Sequence, residues 1–134
     1  MKYLADSDFL VGLFREEDPH HLESIKILEE RYIGDTELMA INLVIQESAT
    51  VLSHRVGMEA VRLFWDKFPK LNMTIIPVDE GLEKESWNIF LKQTKKGCSF
   101  VDCANLAVVK KYKLDGILAF DDFYPKEMRR VAGK

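Results

Sequence analysis

Residues 3–10 read YLADSDFL. Tyr3, Leu4 and Ala5 form a short apolar run, and it leads directly into Asp6, with Asp8 two positions on before apolar sequence resumes at Phe9. A buried strand feeding a helix is the natural reading of such a run. Carboxylates at that junction are costly unless something pairs with them. The expected partner is a metal ion, with the rest of the chain supplying the other half of its site.

Working outward, short apolar runs alternate with amphipathic stretches. KYLA (2–5), ELMAI (37–41), MTIIPV (73–78) and GILAF (116–120) are expected strands, each bounded by polar or turn residues. Helical periodicity fits 20–33, where Leu22, Ile25, Leu28 and Tyr32 recur at spacings of three and four, and also 43–56, 58–68, 80–95 and 100–112. The order β-α-α-β-α-α-β-α-α-β predicts an α/β domain over residues 1–134, with a parallel sheet and helices on both faces. Ligands of open α/β sheets bind beyond the carboxyl ends of the strands. Asp6 follows the first strand there, and Asp121 follows the last in ILAFDDFY.

Two further acids stand in apolar company. With about 100° per residue on a helical wheel, Glu47 lies at the edge of the sector formed by Val44, Ile45, Ala49, Val51, Leu52 and Val56. It reads either as a boundary side chain with its stem on the core or as a ligand. Asp102 falls between Leu106 and Val109, inside the apolar face of FVDCANLAVVKKY. Ser99 three residues earlier offers a capping box instead, and the two readings are compatible. Asp121 and Asp122 have a turn reading as well. Taken together, such charges must converge on a counter-ion or repel one another.

Composition narrows the chemistry. With 134 residues, 47% hydrophobic and 31% charged, the chain suits one ordered globular domain. Cys98 and Cys103 are too few for a zinc knuckle and suit a reducing compartment, while His20, His21 and His54 form no ligand motif. An acid near the N-terminus argues against a secretory signal, and no apolar run approaches the ~20 residues that span a bilayer, so a cytoplasmic setting is expected. The net charge of −3 divides unevenly: residues 1–91 carry 9 basic against 17 acidic side chains, and residues 92–134 carry 10 against 5. The basic third is either a solvated surface or a track for a polyanion. Four carboxylates without His or Cys describe a hard-cation site for Mg²⁺ or Mn²⁺, whose natural reaction is phosphodiester hydrolysis.

The set D-S-D at 6–8, Glu47 in INLVIQESATVL, Asp102 in CSFVDCANLAVVKKY and the late GILAFDDFY resembles the PIN-domain ribonucleases, and in size the VapC-type toxins of toxin–antitoxin pairs. The resemblance covers essentially the whole chain. It implies a three-layer PIN-like fold with a central, mostly parallel sheet of four to five strands. It also implies a Mg²⁺- or Mn²⁺-dependent endoribonuclease that acts on RNA, forms a homodimer and is inhibited by a small antitoxin. Carried over, Asp6, Glu47, Asp102 and Asp121 are the metal and catalytic acids, and Ser7 braces the site. Asp8 and Ala119 depart from the Asn and the Thr or Ser frequent at those positions, and Asp122 competes with Asp121 as fourth acid. One rival is a haloacid-dehalogenase-like phosphotransferase with Asp6 as nucleophile and Asp8 as general acid, which gives Glu47 and Asp102 no role. Another is a PIN-like module that binds RNA without cutting it.

Overall fold

A computed structural model describes residues 1–31 and 36–130 of the chain, apart from the side chain of Arg31. Five strands, β1 (Lys2–Ala5), β2 (Glu37–Ile41), β3 (Thr74–Ile76), β4 (Gly116–Leu118) and β5 (Arg129–Arg130), make one sheet in the order β3-β2-β1-β4-β5. Every neighbouring pair is parallel. The central strand β1 is buried over Tyr3, Leu4 and Ala5, as the continuous apolar run of a strand covered on both faces requires.

Helices α1 (Ser7–Phe14) and α2 (His21–Arg31) connect β1 to β2, and α3 (Asn42–Arg55) and α4 (Met58–Lys67) connect β2 to β3. A 3₁₀ turn at Phe68–Leu71 follows α4, and α5 (Glu80–Leu91) and α6 (Phe100–Tyr112) lead back to β4. The first two connections step across the sheet in one direction and the third returns the other way. Right-handed crossovers therefore place α1–α4 on one face and α5–α6 on the other. The packing agrees, since α1 packs on α2 and α3, α3 on α4, and α5 on α6. Leu4, Phe9, Leu10, Ile41, Val108 and Ile117 lie in the shared core.

Local chemistry sets several boundaries. Asp79 caps α5 through Leu82 N at 2.9 Å, and Lys113 ends α6 in the left-handed region with its N–H on the Val109 carbonyl. Gly116 is required by close approach, because a Cβ there would stand 2.8 Å from the Met128 carbonyl on the chain entering β5. The expected strands at 73–78 and 116–120 are shorter than foreseen, and the helix expected over 80–95 stops at Leu91. At the first of these, Val78 N donates to Asn42 Oδ1 rather than to a strand. Residues 32 and 33 of the helix expected over 20–33 lie outside the described residues. The two-residue β5 has no periodic sequence signal.

The step order reverses between β1 and β4, so the crevice beyond their carboxyl ends is the switch point of the sheet. Asp6 N extends the ladder by donating to the Leu118 carbonyl at 3.0 Å. The chain leaving β1 and the chain leaving β4 thus emerge side by side.

Candidate functional site

Asp6 is the N-cap of α1 and its Oδ1 accepts from Ser7 N at 2.8 Å, yet the residue is only 3% exposed. Burial first, then the charges of Asp8 and Asp102, push its carboxyl well above the usual carboxylate range. Asp102, 9% exposed, sits in the first turn of α6 and completes a capping box with Ser99: Asp102 N donates to Ser99 Oγ at 3.0 Å, and Ser99 N approaches Asp102 Oδ2 at 3.4 Å. The cap and the placement at the crevice are both present. Its carboxyl is also raised, by burial above all.

Between these two acids lies a buried hydrogen-bonded bridge. Asn105, one turn after Asp102 on α6, donates from Nδ2 to Asp6 Oδ1 at 3.1 Å and to Tyr124 Oη at 3.0 Å. Tyr124 Oη in turn donates to Asp102 Oδ1 at 3.1 Å. Burial, with the charges of Asp6 and Asp102, pushes the Tyr124 phenol far up, so it remains a donor.

The other acids stand further out. Glu47 on α3 is half-buried and accepts a short hydrogen bond from Ser7 Oγ, which couples it to the residue after Asp6. Asp121 is exposed, folds its Oδ1 back onto Phe123 N at 2.8 Å, and raises the carboxyls of Asp8 and Asp102 through its charge. Asp122 turns away to pair with Arg129 at 3.0 Å. Asp8 is tied down by Phe120 N and Asp121 N, at 2.9 and 3.0 Å on its Oδ2, while its buried Oδ1 has no hydrogen-bond partner. Burial pushes its carboxyl up to about 6. A side chain so engaged by the backbone is a brace for the segment after β4, not the freely placed general acid a phosphotransferase needs.

Among the described residues, no three acidic, His or Cys side chains are close enough to hold an ion between them. The structure brings Asp6 and Asp102 together, links Glu47 through Ser7 and leaves Asp121 at the rim. The donor set nevertheless fits a hard divalent cation. Asp6 and Asp102 offer only carboxylate oxygens at the crevice, and Mg²⁺ keeps several waters and needs only one or two carboxylates directly.

A cleft of about 470 Å³ opens beside the acids, lined among others by Gln93, Lys95, Lys96, Asp102, Asp121 and Phe123. Of the basic residues in the C-terminal third, Lys95 and Lys96 face it, whereas Arg130 is spent on the carbonyls of Glu127, Arg129 and Asp115. Sequence reasoning missed Asn105 and Tyr124. A polar residue one turn after Asp102 on an apolar helix face was the available signal for Asn105, and Tyr124 carried none.

Comparison with known proteins agrees with this geometry. The chain is 25% identical over 128 residues to a VapC ribonuclease of Archaeoglobus fulgidus, covering 90% of this chain and 78% of that protein. The crystal structure of VapC20 of Mycobacterium tuberculosis, a toxin that cleaves the sarcin–ricin loop, superposes with a TM-score of 0.81 at 22% identity, covering 90% of this chain and 91% of that one. The PIN domain model matches residues 3–133, and with a parallel five-stranded sheet and acids at its switch point, the chain belongs to the PIN-domain family.

Proposed function

We propose that this protein is a Mg²⁺- or Mn²⁺-dependent endoribonuclease of the VapC type, the toxin of a toxin–antitoxin pair, acting in the cytoplasm as a homodimer and restrained by a cognate antitoxin. The observation that carries the reading is the approach of Asp6 and Asp102, remote in sequence, to the two ends of one buried bridge beside a lysine-bearing cleft. Asp6 and Asp102 would hold the ion, with Glu47 and Asp121 completing its surroundings directly or through water. When bound, the ion polarises a phosphoryl oxygen and promotes ionisation of the attacking water.

The chain's own groups do the rest. Ser7 Oγ holds Glu47 toward the crevice, where its other oxygen can orient a water. Asp8 fixes the backbone of Phe120 and Asp121, which sets the height of the rim. Lys95 and Lys96 supply positive charge where the RNA backbone would lie, offsetting the repulsion between phosphates and the acids. The test is cleavage of labelled single-stranded RNA by purified protein. Cleavage should require Mg²⁺ or Mn²⁺, stop with chelator and stop in Asp102→Asn. Cleavage that persists in chelator, or an unaffected Asp102→Asn, would refute the assignment.

A further inference from the structure

We infer that Asn105 and Tyr124 are positioning residues that turn one oxygen of Asp6 and one oxygen of Asp102 inward, so that the other oxygen of each is presented to a divalent cation. The inference rests on the function proposed above and assigns to two residues outside the acidic set the job of spacing it.

Donor bookkeeping fixes the direction of the bridge. An amide nitrogen has two hydrogens and no acceptor capacity, and a phenol has one hydrogen. Asn105 Nδ2 uses both, one on Asp6 Oδ1 at 3.1 Å and one on Tyr124 Oη at 3.0 Å. Tyr124 is already an acceptor, so its single hydrogen goes to Asp102 Oδ1 at 3.1 Å. Turning the amide over would aim its carbonyl oxygen at a carboxylate, which only accepts when ionised. The Asn105 Oδ1 is left buried without a partner, so all of this side chain's hydrogen bonding goes through its nitrogen.

Asp6 Oδ1 and Asp102 Oδ1 are therefore both engaged as acceptors from below. Asp6 takes its bonds from Ser7 N and Asn105 Nδ2 on Oδ1, with the Tyr124 hydroxyl also close enough to favour its charged form, and Asp102 Oδ2 has only the long one from Ser99 N at 3.4 Å. The bridge is also well placed to resist adjustment. Asn105 is fully buried on α6 and Tyr124 is 1% exposed, so both are locked by packing against the core. Outer groups of this kind orient metal ligands, and losing one typically weakens metal affinity by about 10- to 100-fold.

The variants are Tyr124→Phe, which deletes only the hydroxyl, and Asn105→Leu, which keeps the volume but breaks both donor bonds. Mn²⁺ affinity is measured by calorimetry on each full-length protein alongside wild type, with a thermal melt of the metal-free form and the Asn105 side-chain amide followed by NMR. The expected result is an Mn²⁺ Kd weakened at least about tenfold in both variants. The double variant should be worse than either single variant but fall short of the product of the two losses, because the changes share one bond and each breaks a further one of its own. In metal-free Tyr124→Phe, one Asn105 amide proton should lose its hydrogen-bonded shift. A lowered melting temperature with Mn²⁺ affinity within twofold of wild type in both variants would overturn the inference and leave the proposed function standing. Wild-type protein that binds no Mn²⁺ would overturn both. If Tyr124→Phe does not fold, Asn105→Leu decides alone.

Discussion

The inner and outer acids of the crevice are built differently. Asp6 and Asp102 are nearly water-free and pinned by named donors, while Glu47 is half-buried on one hydroxyl and Asp121 is exposed on a turn. The inner pair keeps like charges close at a cost to the fold, visible in the raised carboxyls of both. The outer pair carries no such burden and is free to adjust. A site that combines a rigid inner half with an adaptable outer half can receive a cation without rearranging its core.

The largest effect expected from breaking this contrast is on the inner pair. Asp6→Asn and Asp102→Asn should each lower RNA cleavage by more than about 100-fold, beyond the range that loss of an outer group gives. Metal-free Asp6→Asn should nevertheless melt higher than wild type, since it removes a buried charge. A mutant that lost both activity and stability would point to Asp6 as a structural cap. Asp102→Asn keeps the helix start but weakens the capping box, so its stability should fall by about 1 kcal/mol or less.

Glu47→Gln should be milder, about tenfold in cleavage, with melting unchanged, because an adaptable arm has other ways to be replaced. A loss as large as that of Asp102→Asn would move Glu47 into the inner set.

Acid titration sharpens the comparison from another side. Asp8 is pushed up to about 6 in the fold from an ordinary 3.8, and Asp6 and Asp102 are raised too. The folded state then holds protons more tightly than the unfolded chain. The stability that Asp8 contributes is fully present below about 3.8 and is lost as pH rises through about 6, and Asp6 and Asp102, raised as well, add to the fall in the same direction. Melts of metal-free protein should follow that fall, and the stabilisation added by Mn²⁺ should grow over the same window as the ligands deprotonate. A metal-free protein that gains stability from pH 4 to 6 would contradict the burial of these acids.

The smallest effect belongs to the cleft wall. Lys95→Ala and Lys96→Ala should each reduce the salt slope of single-stranded RNA binding by about 0.7, with cleavage at saturating RNA little changed. An unchanged slope would take the lysines off the RNA path.

Much of this was readable from the chain. β1, β2 and α6 begin and end where periodicity and capping put them, because strands covered on both faces and helices with a Ser–Asp cap have strong local signals. The pairing of Asp6 with Asp102 followed from topology, since both lie at strand or helix ends on one edge. What local pattern could not supply is the bridge. Asn105 looks like an interruption of an apolar face and Tyr124 like one more aromatic, and only the third dimension joins them across residues 6, 102, 105 and 124. Neighbouring aromatics of α4 part in the same way, since Phe64 is buried while Trp65 is 70% exposed.

The most direct test is an anomalous-scattering map of a manganese-soaked crystal. The account predicts a peak about 2.0–2.2 Å from one outward oxygen of Asp6 and one of Asp102, with Asn105 and Tyr124 still on the opposite oxygens. A peak bound elsewhere, or Asp6 and Asp102 sharing no density, would contradict it.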